Sequence, residues 1–65
     1  MQTQVLRNAN GIKIGEIEHR SDGIQILRDA NGMKKGEYEP KWNLTRDRDG
    51  RRVGEGNLLA SLLRP

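Results

Sequence analysis

Cysteine and phenylalanine are absent from these 65 residues, and Trp42 and Tyr38 are the only large aromatics. Without cysteine no disulfide can staple the fold. With His19 as the sole imidazole, a structural zinc site lacks ligands. No stretch of 18 apolar residues occurs, so no transmembrane helix and no membrane partner are expected. Met1-Gln2-Thr3-Gln4 lacks the basic and apolar regions of a secretory leader. Together with the missing cysteine, which fits a reducing compartment, this predicts a cytoplasmic protein. Hydrophobic residues make up only 32%, against about 45–50% in an average domain when glycine is counted. A single domain over 1–65 therefore buries a thin core, and chains below ~70–80 residues add a staple to such a core. With disulfide and zinc excluded, oligomerisation remains, and self-association is expected by elimination.

What the chain does have is repetition. Arg7-Asn8-Ala9-Asn10-Gly11-Ile12-Lys13-Ile14-Gly15-Glu16 returns as Arg28-Asp29-Ala30-Asn31-Gly32-Met33-Lys34-Lys35-Gly36-Glu37 and as Arg46-Asp47-Arg48-Asp49-Gly50-Arg51-Arg52-Val53-Gly54-Glu55. The shared pattern is Arg-[Asn/Asp]-x-[Asn/Asp]-Gly-x-x-x-Gly-Glu. Self-similarity of this kind marks one supersecondary unit used repeatedly. Asn10-Gly11, Asn31-Gly32 and Asp49-Gly50 are strong hairpin signals, because the turn requires positive φ. Each follows a β-forming run, as in Gln4-Val5-Leu6 and Gln25-Ile26-Leu27. The repeats thus span about 4–17, 25–38 and 43–56.

Two turn registers compete. A two-residue loop at Asn31-Gly32 places Asp29 opposite Lys34. A three-residue loop with a bulge at the glycine places Leu6 opposite Ile14 and Asp47 opposite Arg51. The second pairs apolar with apolar in the first hairpin and is preferred. Gly15, Gly36 and Gly54 fall inside the returning strands, where glycine marks a bulge, a bend or a close approach. Further turns are expected at Arg20-Ser21-Asp22-Gly23 and Glu39-Pro40-Lys41. The expected fold is all-β, a meander of six short strands at 3–8, 12–19, 24–29, 33–39, 42–47 and 51–55.

After Gly56 the pattern changes. Asn57 is a helix cap, and Leu58-Leu59-Ala60-Ser61-Leu62-Leu63 places leucines four apart. A short C-terminal helix over 57–64 is expected, closed by Arg64 and Pro65. Seven residues form no stable helix alone, so Leu58, Leu59, Leu62 and Leu63 should be buried, across their own sheet or against another copy. Oligomer contact is assigned to these four. Val5, Leu6, Ile14, Ile17, Ile26, Leu27, Leu44 and Val53 complete the expected core and contact surface.

No catalytic constellation is present. His19 has only Glu18 adjacent, on the opposite strand face, and no nucleophile accompanies it. Glu16, Glu37 and Glu55 recur at equivalent positions; a ring of carboxylates would bind a hard cation. The preferred reading is that each pairs with a neighbouring Arg or Lys. No enzyme activity, cofactor, metal or small-molecule substrate is expected. A net charge of +3 and a pI near 9.8 permit an anionic partner. Arg46, Arg48, Arg51 and Arg52 crowd the third hairpin, where arginines on a β-ribbon contact guanine or phosphate and Trp42 would stack on a base. Nucleic-acid binding is therefore an alternative to self-assembly. Capture of another protein through a sheet edge is a third.

The strings Arg28-Asp29-Ala30-Asn31-Gly32 and Arg46-Asp47-Arg48-Asp49-Gly50 resemble the turn of the YD repeats of large bacterial toxin-shell proteins, with Arg in place of Tyr. Three copies rather than dozens do not imply a shell. Over nearly its full length, including Gly56-Asn57-Leu58-Leu59, the chain more closely resembles small bacterial proteins described as a four-fold β-flower, in which hairpins radiate like petals. That resemblance implies a fold and a symmetric arrangement. It implies no particular activity and no functional residues.

Overall fold

Short β-forming runs separated by glycine turns fold back on one another in sequence order. The computed structural model describes residues 2–63, in which one antiparallel sheet holds six strands in the order β1 to β6. They are β1 Gln2–Arg7, β2 Lys13–His19, β3 Gln25–Asp29, β4 Lys34–Glu39, β5 Leu44–Asp47 and β6 Arg52–Glu55. A 3-10 helix, Leu59–Leu63, follows. The expected all-β meander with a short C-terminal helix is the observed fold. Met1, Arg64 and Pro65 lie outside the described residues.

Four of the five connections use the same loop. In the first, Gly11 N–H donates to Asn8 O and Asn8 N–H donates to Ile12 O, with Gly11 at φ +80°. Gly32 and Gly50 close identical three-residue loops, as does Gly23 between β2 and β3. This is a type I turn followed by a left-handed residue, which suits the twist of a hairpin. The loop expected in preference at Asn31-Gly32 is the one observed, and Asp47 faces Arg51. Between β4 and β5 the chain instead turns through Pro40–Asn43, with Asn43 itself left-handed at φ 49°. β5 consequently starts at Leu44 rather than Trp42.

The pairing of Leu6 with Ile14 is corrected. Leu6 faces Gly15, and the register slips by one residue between Leu6 and Arg7. The same slip separates Leu27 from Arg28 and Thr45 from Arg46, so that Leu27 faces Gly36 and Thr45 faces Gly54. Ile14, Lys35 and Val53 are the extra residues of three equivalent bulges. A bulged residue has no cross-strand partner, which is why Ile14 and Val53, expected in the core, stay 39% and 38% exposed. Val5 is likewise exposed, and Leu6, Ile17, Ile26 and Leu44 are half-buried. Leu27 and Leu59 are the buried hydrophobic residues, and Thr45 is buried with them.

Candidate functional site

Strand alternation gives the sheet two unlike faces. Leu6, Gly15, Ile17, Leu27, Gly36, Tyr38, Thr45 and Gly54 share one face by register. The C-terminal segment lies across it. A methyl group added at Gly15 would sit 3.2 Å from a Leu63 methyl, at Gly36 2.5 Å from a Leu62 methyl, and at Gly54 2.9 Å from a Leu58 methyl. The three repeated glycines are therefore a row of seats for three leucines. The segment is tied down by Thr45, whose hydroxyl donates to Gly56 O at 2.6 Å and accepts Leu58 N–H at 3.0 Å. Asn57 caps it, accepting Leu59 N–H at 3.3 Å. Of the four leucines assigned to oligomer contact, Leu59 is wholly buried inside its own chain, and Leu58, Leu62 and Leu63 are half-buried on their own sheet.

The opposite face is a lattice of charge. Each bulge brings a basic residue and a glutamate three positions later onto one side. Lys13 pairs with Glu16 at 3.6 Å, Lys34 with Glu37 at 3.5 Å, and Arg52 with Glu55 at 3.4 Å. Between hairpins, Arg28 bonds Glu18 at 2.8 Å and Arg46 reaches Glu39 at 3.6 Å. The recurring glutamates thus each meet a local cation. They lie on alternate strands, about 9–10 Å apart, and do not converge. Among the described residues no group of His, Asp or Glu is placed to hold a metal ion. His19, at the end of β2, pairs across the sheet with Gln2 and Gln25.

The first four motif residues are spent on the turns. Asn8 Oδ1 accepts the N–H groups of Asn10 and Ile12, Asp29 Oδ1 those of Asn31 and Met33, and Asp47 Oδ1 those of Asp49 and Arg51. Arg7, Arg28 and Arg46 each donate to the carbonyl of their loop glycine, Gly11, Gly32 and Gly50, at 3.1–3.2 Å. Bonding from Met33 N–H, with Asn31 and nearby Lys35 adding to it, holds the Asp29 carboxyl below its ordinary 3.8. The role of these arginines was not foreseen, although their threefold recurrence was its signal.

The residues considered for nucleic-acid contact are not gathered. Arg46 is engaged as above. Arg48 and Arg51 are exposed at the β5–β6 loop, and Arg52 is paired with Glu55. Trp42, 65% exposed, sits in the turn at the other end of β5, about 15–20 Å along the strand from Arg48. Lys41 lies over its ring, with Nζ 5.3 Å from the ring centre. The charged face carries Arg7, Lys13, Arg28, Lys34, Arg46 and Arg52 against Glu16, Glu18, Glu37, Glu39 and Glu55, a near balance that flattens its field.

The edges of the sheet differ. β6 has four residues, a bulge at Val53 and charges at Arg52 and Glu55, all devices that discourage further pairing. β1 has six residues, Gln2–Arg7, with neither charge nor proline before Arg7. No helix of the described residues is long and apolar enough to cross a membrane. Comparison with protein-family models, with curated proteins and with solved structures finds no match to this chain.

Proposed function

We propose that this chain is a non-enzymatic structural module that assembles with copies of itself. The observation that carries the reading is the β1 edge. Among the described residues its outward N–H and C=O groups have no strand partner, and none of the usual blunting residues stands on it before Arg7. Such an edge is a template for another strand. The thin core adds to this, since Leu27 and Leu59 are its buried hydrophobic residues. The test is native mass by light scattering after size exclusion, at low and moderate salt and over a range of concentration. A defined multimer is expected at both salts, because main-chain hydrogen bonding is not screened as surface charge is. A monomer at every concentration would overturn the reading. Strand addition to a different protein would use the same edge, and would leave the isolated chain monomeric.

A further inference from the structure

We infer that two copies join by antiparallel pairing of β1 with β1 about a two-fold axis through Val5, giving one continuous sheet of twelve strands with β6 at either edge. The inference rests on the self-assembly reading and specifies its partner, register and stoichiometry.

The register follows from the ladder. Asn8 N–H donates to Ile12 O across the first hairpin, so the backbone of Asn8 points toward β2. Since antiparallel strands alternate inward and outward backbone groups, Leu6, Gln4 and Gln2 bond toward β2. Thr3, Val5 and Arg7 turn their N–H and C=O groups outward. An antiparallel partner bonds outward residues to outward residues. Placing Val5 opposite Val5 of the second copy also places Thr3 opposite Arg7, so all three outward residues of each copy are used. The next described pair, Leu6 with Gln4, falls on the leucine-covered face.

Side chains agree with this register. Val5, 44% exposed, meets its own copy, an apolar pair at the centre. Arg7 meets Thr3, so no like charges face one another across the axis, the arrangement that destabilises a cross-strand pair. Moving the partner two residues one way, so that Val5 faces Arg7, sets Thr3 against the turn residue Ala9. Moving it the other way, so that Val5 faces Thr3, leaves Arg7 without a bonded partner among the described residues; either shift loses the apolar pair.

Symmetry sets the number of copies. The same edge serves both partners, so the contact is isologous and closes. A filament would need β1 of one copy to pair with β6 of the next. The short, bulged and charged β6 opposes that.

One strand pair buries less surface than a standard ~1,600 Å² interface, so sedimentation is followed over a concentration series reaching about 1 mM. Wild type should move from monomer to dimer and go no further. Val5→Pro removes an outward N–H and none of the β1–β2 bonds. It should keep the β circular dichroism of wild type and stay monomeric at concentrations where wild type is dimeric. Because the chain has no cysteine, Val5→Cys introduces a single thiol with its copy about 5.5 Å away between Cα atoms, within disulfide reach. It should form a covalent dimer on mild oxidation. Thr3→Cys, whose copy lies four residues along the partner strand, about 13 Å away, should not. A wild-type dimer that survives Val5→Pro, or that fails to cross-link through Val5→Cys, overturns the edge assignment while self-assembly stands. A wild type that never leaves the monomer overturns both.

Discussion

At the scale of single residues, the repeated motif is a description of one loop. Asn or Asp opens it by accepting two backbone N–H groups, glycine closes it at positive φ, and arginine holds the glycine carbonyl. Asn-Gly and Asp-Gly were legible because positive φ restricts which residues serve. The arginine was not, since a guanidinium reaching a carbonyl four residues on has no characteristic periodicity. Asn8 stands where Asp29 and Asp47 stand, so the loop needs an acceptor and not a charge. Asp29→Asn should therefore keep Tm near wild type at pH 7, and Asp29→Ala should lower it, as thermal melts will show. The charge matters in acid. Asp29 titrates lower in the folded chain than in the unfolded one. Its contribution is complete above the unfolded value and is lost as pH falls through the lowered folded value. Melts from pH 5 to pH 2 should show a shallower acid loss for Asp29→Asn than for wild type. At Gly32, where open space surrounds the Cα but φ is +85°, alanine should cost about 1–2 kcal/mol from backbone strain alone.

At the scale of elements, strand order and number were readable from the spacing of turns, but register was not. Turn chemistry fixes where a hairpin begins, and it predicted Leu6 opposite Ile14. The second bulge, one step inside the strand, shifts the return by one residue. Its trace in the sequence was the change of apolar phase between Ile14 and Ile17, compatible equally with a bend. The glycine after each bulge is explained by packing. Gly36→Ala would place a methyl 2.5 Å from Leu62 and 2.6 Å from Arg46 O, an overpacking expected to cost about 1–3 kcal/mol by chemical denaturation. Leu59→Ala, emptying a fully buried site, should cost about 2–5 kcal/mol in the same assay. Thr45→Val preserves shape but leaves Leu58 N–H and Gly56 O without their hydroxyl partner. It should increase amide exchange at Leu58 and Leu59 before that of β3.

At the scale of the whole molecule, stability comes from one covered face. The five ion pairs of the other face are partly exposed, and such pairs contribute roughly 0–1 kcal/mol each. Raising salt from 0.1 to 1 M should shift Tm by only a few degrees. The sequence pointed to burial of the leucines and left open whether their own sheet or a second copy would cover them. Nothing in residue type distinguished the two, since either surface is apolar; the answer lay in three strand glycines, compatible in the sequence with a bulge, a bend or a close approach, that act as seats.

Those seats are filled in an order that has a consequence for biosynthesis. Gly15 is translated 48 residues before Leu63, its occupant, an interval of about 2–10 s at ~5–20 residues per second. Hairpins can close locally as they emerge, yet the sheet they form must wait, one side bare, for the last leucines. A nascent chain stalled before residue 58 would display that bare side to chaperones, whereas one released after residue 63 would not.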